Sequence, residues 1–288
     1  MLSIHQTALR KINRILCSAA VLSVVCTGIV FAQGEAEEYR RGMTFIETKV
    51  YTQEEDQKIL ELYKDLRVAD VSDGMDKAGL PDLGLMDPSI KPLWKDTENF
   101  THRIAGIAVT TRYVPTQRPH AGRMEPEKFD QWEGHFYSTY SHEPFARIIR
   151  PGSVVVIEEA PLSDVGSIGS NNIMSWVANG AVGVVTSLSA RDTDEIILQK
   201  IPLYYQRPGR GIRPGRNEVE SVNRPVVCGG VLVMPGDVIV ADGDGVICVP
   251  RAVAEEVARY AHEILEKDKA GRRSLYKKLN LPEDDTVR

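Results

Sequence analysis

The sequence predicts an α/β fold. Apolar residues recur at helical spacing in two segments, 59–66 and 253–265. Between them lie short runs rich in β-branched residues, which favour strands, at 103–113, 153–158 and 182–186. Helical and strand-like segments that follow one another in this way are typical of an α/β domain.

Length and composition set the broad class of the protein. The chain has 288 residues, enough for one large domain or two small ones with a substantial core. Its apolar content of 42% and charged content of 26% are ordinary for a globular protein. The net charge is −5 and basic blocks are absent from the sequence, so a nucleic-acid-binding surface is not indicated.

The N-terminus has the layout of a secretory signal peptide, residues 1–32. An uncharged run, 15–31, follows three basic residues, and Ala32 completes a small-residue cleavage pattern. The run is close to membrane-spanning length, so an uncleaved membrane anchor is the alternative. Because Ser, Thr and Gly interrupt the run, we expect cleavage. The mature protein is then exported, periplasmic or secreted, with no membrane attachment.

The remainder is predicted to comprise three parts. Residues 33–50 form a flexible N-terminal segment, 51–270 form the folded domain, and 271–288 form a charged C-terminal tail. Only Cys228 and Cys248 remain after cleavage, and both lie in strand-like runs. Burial as small apolar residues explains them, and an oxidising compartment would also permit a disulfide between them.

The first half of the domain begins with helices. Thr52 and Glu55 are spaced as a capping box ahead of a first helix. A second helix is predicted over 68–77, and a strand over 103–113. Residues 115–147 are predicted to be irregular, and could be a lid, a subunit contact or a packed loop.

The second half is rich in turns. Residues 153–158 form a strand, 195–200 are ambiguous, and 207–216 form a loop whose four arginines could touch an anionic substrate or a neighbouring subunit. A solvated loop is the simpler interpretation. Residues 225–249 are predicted to be β-rich, and Pro250 suits the start of a final helix.

The candidate site lies within residues 169–192. Its first four residues are small and polar, and residues of this kind satisfy the first amides of a helix. They are Gly169, Ser170, Asn171 and Asn172. A helix over 173–178 and a buried strand over 182–186 are predicted to follow.

Arg191 and Asp192 come just after this strand. A helix start and the end of the next strand meet in one crevice of an α/β sheet, where ligands commonly bind. Free amides favour an anion, Arg191 can hold a carboxylate through two hydrogen bonds, and Asp192 offers a hard oxygen to a divalent cation. The combination suits an oxo-acid. From the pattern alone, a surface helix beside a solvated Arg–Asp pair is an equal alternative.

Several motifs together carry a resemblance to a known family. They are VADVSDGM near 68, GIAVTT near 106, PGSVVVIE at 151, the GSNN…NGAVGVV…RD stretch and CGGVLVMPGDVIVADGDGVICVP at 228–250. Over residues 55–267 the chain resembles the RraA-like proteins, which include 4-hydroxy-4-methyl-2-oxoglutarate aldolases and the regulator of ribonuclease E activity. The resemblance implies a swivelling β/β/α fold with a central mixed sheet flanked by helices. It also implies homotrimers or hexamers with sites between subunits.

The resemblance assigns roles to the residues of the stretch. The turn that holds a pyruvate-like carboxylate on its amides falls on residues 169–172. The family arginine, which is catalytic and binds the oxo-acid, falls on Arg191. The ligand of Mg²⁺ or Mn²⁺ falls on Asp192. These roles imply a divalent-metal-dependent lyase that cleaves or decarboxylates a small α-keto acid through a pyruvate enolate.

Two residues depart from the family pattern. Ser170 replaces the acidic residue that follows the turn glycine and orients metal-bound water, and Leu188 replaces a glycine. The alternative function is therefore a non-catalytic regulator that binds a ligand or protein through the same scaffold. The signal peptide disfavours a role in cytoplasmic RNA processing.

Overall fold

The computed structural model describes residues 37–160 and 164–288. The chain separates into two units, Met1–Glu47 and Thr48–Arg288. In the first unit, the described part contains a short helical turn at 37–40. The predicted signal peptide, residues 1–32, lies outside the described residues.

The second unit contains the helices that surround the sheet. In chain order they are α1 (Gln53–Leu62), α2 (Val68–Lys77), α3 (Pro126–Thr139), α4 (Ser170–Ala178), α5 (Thr193–Leu198) and α6 (Ala254–Leu279). Two short 3₁₀ helices occupy Pro144–Ile148 and Arg251–Val253. The predicted second helix has the observed bounds, and the predicted capping box of Thr52 and Glu55 is present at the start of α1. Among the described helices, none combines the length and apolar character needed to cross a bilayer.

The strands form one large mixed sheet and two small pairs. They are β1 (Lys91–Pro92), β2 (Ile104–Pro115), β3 (Ser153–Glu159), β4 (Ala181–Thr186), β5 (Ser189–Ala190), β6 (Leu203–Tyr205), β7 (Arg207–Pro208), β8 (Asn217–Val222), β9 (Val226–Cys228), β10 (Val231–Val233), β11 (Val238–Asp242) and β12 (Gly245–Val249). The large sheet has eight strands in the order β1-β6-β4-β3-β2-β11-β12, with β8 also paired to β2. Within the large sheet, strands β2, β3, β4 and β6 run parallel, and the remaining strands pair antiparallel. The predicted α/β fold with a central mixed sheet and flanking helices is confirmed.

The core follows the alternation of side chains along the strands. Helices α1, α2 and α6 pack on the β11–β12 part of the sheet, where Tyr63, Val71 and Val257 are fully buried. Helices α4 and α5 pack near β3 and β4 through Trp176 and Ile196, which are also fully buried. Because β3 is apolar on both faces, it anchors the loops that follow its C-terminal end.

The prediction of an irregular segment at 115–147 is wrong. Strand β2 extends to Pro115, and α3 then occupies Pro126–Thr139 before the 3₁₀ helix. Pro126 begins α3, where its fixed backbone angle suits a first helical position. Three aromatic residues at helical spacing then stack in a row: Phe129, Trp132 and Phe136. These contacts outweigh the weak helix propensity that favoured a loop.

Other differences lie at element boundaries and in the last third. The ambiguous segment 195–200 belongs mostly to α5, and strand β8 was not predicted. Helix α6 continues past residue 270 to Leu279, so the first half of the predicted tail is helical. Cys228 and Cys248 are both free thiols and both buried. The packing of small apolar side chains therefore accounts for them.

Candidate functional site

The start of α4 is capped by its own third residue. The Gly169 amide donates to Asn172 Oδ1 at 3.1 Å, as in one half of a capping box. Gly169 is the N-cap and has no side chain with which to complete the other half. The turn therefore withdraws one amide and leaves the space beside Gly169 open for another group.

Asp192 fills that space. Its backbone adopts the left-handed region, with φ 56°, two residues after β5. Its Oδ2 accepts a hydrogen bond from the Ser170 amide at 3.2 Å. A methyl group at Gly169 would overlap this same oxygen, so glycine is required for the carboxylate to lie here.

Arg191 and Asp192 present their polar groups to solvent. Their side chains are 36% and 39% exposed, and Arg191 Nε lies 3.8 Å from Asp192 Oδ1. That distance is too long for a hydrogen bond. The guanidinium and Oδ1 therefore remain available for a ligand.

The backbone around Arg191 is built from closely packed loop segments. Isolated bridges join Val165 to Gly211 and Ile168 to Ala190, and β5 pairs in parallel with β7. A Cβ atom on Gly166 would come within 2.6 Å of both Arg191 Cβ and the Gly209 carbonyl oxygen. We call these packed segments, 165–168, 189–190 and 207–211, the roof. The first two follow β3 and β4 in the chain, and the close packing fixes the position of the Arg191 Cβ atom.

The α4 start can attract an anion. Its first turn contains no acidic residue, so no helical side chain offsets the partial positive charge of the free amides. Neither the Asn171 amide nor the Asn172 amide has an acceptor within the described chain. These two amides and Arg191 can together bind a carboxylate.

The structure brings the six predicted site residues together, but fewer of their backbone amides are free than the sequence suggested. The sequence suggested four amides for a ligand, whereas the Gly169 amide is used by Asn172 and the Ser170 amide by Asp192. Of the four, only the amides of Asn171 and Asn172 have no acceptor in the described chain, and these two amides with Arg191 form the candidate anion cradle. The substrate, metal and catalytic roles of these residues remain predictions.

The residues present fit a magnesium or manganese ion held by one carboxylate. In the described part of the chain, no group of three or more acidic, His or Cys side chains is arranged to hold a metal. Mg²⁺ commonly takes one or two carboxylates, with water and substrate completing its shell. Asp192 Oδ1 meets that minimum requirement. Ser170 is buried and contributes no second carboxylate.

A buried charged network lies behind α4. The Glu143 carboxylate accepts hydrogen bonds from Asn172 Nδ2 at 2.6 Å, from Trp176 Nε1 at 2.9 Å and from an Arg213 Nη at 2.6 Å. Arg213 comes from the arginine-rich loop, yet its side chain is only 4% exposed. Sequence reasoning missed this network. The only signal was the arginine-rich composition, which did not distinguish Arg213 from its solvated neighbours.

A second buried carboxylate, Glu159, ends β3 beneath the roof. Its Oε1 accepts a hydrogen bond from Asn217 Nδ2 at 3.1 Å, and the same amide also donates to Ser167. Glu159 Oε2 has no hydrogen-bond partner in the described structure. Burial raises the pKa of Glu159 to about 8, which favours its neutral form at neutral pH. Sequence reasoning did not single out Glu159.

Leu188 lies apart from the candidate anion cradle. It is buried and lines a cavity of about 360 Å³ with Glu158, Gln206 and Val227. The lining does not include Arg191 or Asp192. The leucine that replaces the family glycine therefore borders a neighbouring cavity.

Comparison with known proteins identifies the class to which this fold and site belong. A sequence model of the RraA-like family, described as Aldolase/RraA, matches residues 68–248. The chain is a member of the RraA-like family.

Two curated relatives match parts of the chain. Protein DlpA of Legionella pneumophila is 27% identical over 191 residues, which are 66% of this chain and 27% of DlpA. A Halalkalibacterium halodurans protein named "putative 4-hydroxy-4-methyl-2-oxoglutarate aldolase" is 29% identical over 127 residues, 43% of this chain and 59% of that protein. The chain thus spans less than two thirds of each relative.

Solved structures share the fold. An uncharacterized protein from Pseudomonas syringae pv. tomato is 26% identical with a TM-score of 0.58, over 80% of this chain and 91% of that one. Streptomyces coelicolor RraAS2, titled an unusual member of the RNase ES inhibitor RraA protein family, is 20% identical with a TM-score of 0.58. That match covers 79% of this chain and 99% of RraAS2, and it supports the fold alone.

Proposed function

We propose that the chain is a divalent-metal-dependent lyase that cleaves or decarboxylates a small α-keto acid. One observation carries the proposal: Arg191 and the Asp192 carboxylate converge on the α4 start, where two amides lack acceptors in the described structure. Membership of a family described as Aldolase/RraA supports it, as does the relative named as an aldolase.

Each group of the site has a separate task in this proposal. The amides of Asn171 and Asn172, with the Arg191 guanidinium, bind and orient the oxo-acid carboxylate. Asp192 Oδ1 holds Mg²⁺ or Mn²⁺. When bound, the metal supplies Lewis-acid stabilisation of the negative charge that develops on the keto oxygen.

The reaction breaks the carbon–carbon bond one position beyond the carbon next to the keto group. In oxaloacetate, the electron pair of that bond remains as the pyruvate enolate and carbon dioxide leaves. Protonation of the enolate carbon then gives pyruvate. Because Arg191 is positively charged and half-buried, it stabilises the enolate more strongly than the bound keto acid.

Pyruvate release tests the proposal directly. Oxaloacetate and 4-hydroxy-4-methyl-2-oxoglutarate are each incubated with the protein in magnesium or in chelator, alongside protein-free blanks. We expect magnesium-dependent pyruvate release from at least one acid. Asp192→Asn should lower the rate at least about 100-fold, because the amide is a poor ligand for the metal.

Asp194→Asn is the matched control. Asp194 is an exposed acidic residue in the first turn of α5, two positions from Asp192, and should retain wild-type turnover. Equal losses in both variants, or the absence of metal-dependent release from either acid, would contradict the lyase assignment. Titration of the protein with Mn²⁺ in a calorimeter separates metal binding from turnover.

Ser170 favours a second candidate, a non-catalytic regulator that binds a ligand or protein. The family residue at this position is acidic, whereas the buried Ser170 uses its amide to hold Asp192. Under this alternative the protein binds an oxo-acid carboxylate without releasing pyruvate. Calorimetric binding of oxalate with no turnover of either acid would support the regulator over the lyase.

Assembly and location complete the proposal. We infer a homotrimer or hexamer, with sites between subunits, and export through residues 1–32. Light scattering of the purified protein checks the first inference. Fractionation of the producing cells, with mass spectrometry of the mature N-terminus, checks the second.

A further inference from the structure

Glu143 holds α4 at two successive turns. Asn172 and Trp176 are four positions apart and therefore lie on one face of the helix. Asn172 donates to Glu143 Oε1 and Trp176 donates to Oε2. Because both carboxylate oxygens are engaged and the side chain is only 18% exposed, Glu143 acts on the helix and is not free to bind a ligand.

Asn172 links Glu143 to the turn that precedes α4. Its amide nitrogen can only donate and its amide oxygen can only accept. With Nδ2 fixed on Glu143, Oδ1 points towards the Gly169 amide, which donates to it at 3.1 Å. The orientation of the Gly169–Ser170 backbone, and with it the direction of the next two amides, therefore depends on Glu143.

Arg213 keeps the Glu143 carboxylate in place. Its guanidinium donates to Glu143 Oε1 and to Tyr113 Oη at 2.7 Å, and it lies 5.1 Å from the centre of the Tyr113 ring. Burial raises the pKa of Tyr113, so the tyrosine is a neutral acceptor. A buried pair of this kind is costly to break, because the remaining charge has no water to solvate it.

We propose that Glu143, held by Arg213, is a positioning residue that acts through Asn172 to aim the α4 amides at the carboxylate of the oxo-acid. The inference rests on the proposed function, since it concerns the same site. It assigns Glu143 an effect on ligand affinity alone, whereas Asp192 affects the chemical step and Arg191 affects both binding and the chemical step. It also gives a role to the contact between Glu143, which lies outside residues 169–192, and α4.

Glu143→Ala tests the proposal, because it removes both acceptor oxygens; a glutamine can keep its Oε1 on Asn172 and Arg213 and lose only the bond from Trp176. In Glu143→Ala the Asn172 Nδ2 group loses its acceptor, so the Asn172 side chain loses its fixed orientation. We expect KM for oxaloacetate and Kd for oxalate to rise about tenfold while kcat stays within about twofold. Hydrogen exchange of the Gly169 amide should accelerate in the same variant.

A double-mutant cycle separates positioning from general destabilisation. Asn172→Ala should raise KM by a similar factor, and adding Glu143→Ala to it should raise KM little further, because both act through one contact. Trp176→Phe is the control. It removes a hydrogen bond to Glu143 but leaves Asn172 in place, so it should lower thermal stability and keep the wild-type KM.

Distinct outcomes overturn the two proposals. Unchanged KM and oxalate affinity in Glu143→Ala, or equal KM shifts in Glu143→Ala and Trp176→Phe, would refute the positioning role alone. If wild type neither binds oxalate nor releases pyruvate, the proposed function fails, and the positioning role fails with it. Should Glu143→Ala not fold, the contrast between Asn172→Ala and Trp176→Phe decides the question.

Discussion

The starts of α2 and α4 are built alike, yet one is closed and the other open. In each, the amide of the N-cap residue donates to the side chain of the third helical residue: Arg67 to Asp70, and Gly169 to Asn172. In each, the first helical amide donates to an aspartate that follows a later strand or ends it. Asp242 serves Val68, and Asp192 serves Ser170.

The difference lies in what surrounds the two aspartates. Asp242 is 5% exposed, and its second oxygen accepts a hydrogen bond from the Asp244 amide. The side chain of Asp192 is 39% exposed, and its second oxygen has no hydrogen-bond partner among the described residues. At α2 the Arg67 guanidinium also neutralises Asp70, whereas α4 has glycine at the matching position. A single capping scheme thus serves structure at α2 and leaves polar groups free at α4.

Glu159 gives the largest expected effect on stability. Near the start of α4 this buried carboxylate has an oxygen without a hydrogen-bond partner, whereas no such oxygen is described near the start of α2. The pKa of Glu159 rises from 4.5 to about 8 on folding. Between these values the unfolded chain releases the proton while the folded chain retains it. Stability should therefore fall by up to ~1.4 kcal/mol per pH unit as pH rises from about 5 to 8. Glu159→Gln should flatten this slope in urea unfolding measured across that range. A slope equal to that of wild type would refute the burial of a neutral Glu159.

Asp242→Ala should produce the next largest effect. It leaves the buried Val68 amide and the partly buried Asp244 amide without their acceptor, at a cost of about 2–4 kcal/mol. Urea unfolding at pH 7 measures this loss. A cost below about 1 kcal/mol would show that the α2 start is as open to water as the α4 start.

Asp192→Ala is the paired experiment at α4. Here water can replace the lost acceptor, so the free energy of unfolding should fall by only about 1 kcal/mol or less. The same variant should abolish magnesium-dependent pyruvate release under the proposed function. A stability loss as large as that of Asp242→Ala would mean that Asp192 is structural.

Gly169→Ala should have the smallest effect on stability. The backbone of Gly169 has φ −123°, which any residue can adopt, so the new methyl group only displaces the half-exposed Asp192 carboxylate. We expect a loss of about 0.5–1 kcal/mol, mostly from the broken bond to Ser170. Weaker Mn²⁺ binding in a calorimetric titration is the accompanying functional change. Unchanged Mn²⁺ affinity would separate the metal site from this contact.

Local sequence signals predicted many of the elements and the proximity of residues 169–172 to Arg191 and Asp192. The bounds of α2, the capping box of α1 and the crowding of residues 169–172 against Arg191 and Asp192 depend on short-range spacing or on one family motif. The helix in 126–139 also had such a signal. Pro126 and the aromatic spacing were present in the sequence but were outweighed by polar neighbours.

Long-range partners could not be predicted in the same way. Glu143 and Arg213 are 70 positions apart, and nothing in either segment distinguishes a buried pair from two solvated charges. Ser170 and Asp192 were both identified, but the hydrogen bond between them depends on the left-handed backbone of Asp192. The spacing of Ser170 and Asp192 in the sequence identifies the motif, but it does not reveal which backbone amides are left without an acceptor.

The two glycines of the roof make the site sensitive to very small substitutions. Gly166 and Gly209 approach so closely that a single added carbon at residue 166 would press on the Cβ atom of Arg191. The position of the Arg191 side chain therefore depends on the absence of side chains at Gly166 and Gly209 as well as on the hydrogen bonds of the surrounding backbone. If the protein binds an oxo-acid as proposed, substitutions at these two positions offer no route to a larger substrate in an evolving or engineered lineage. Selection for new acids would then act on residues that border the exposed side of Arg191.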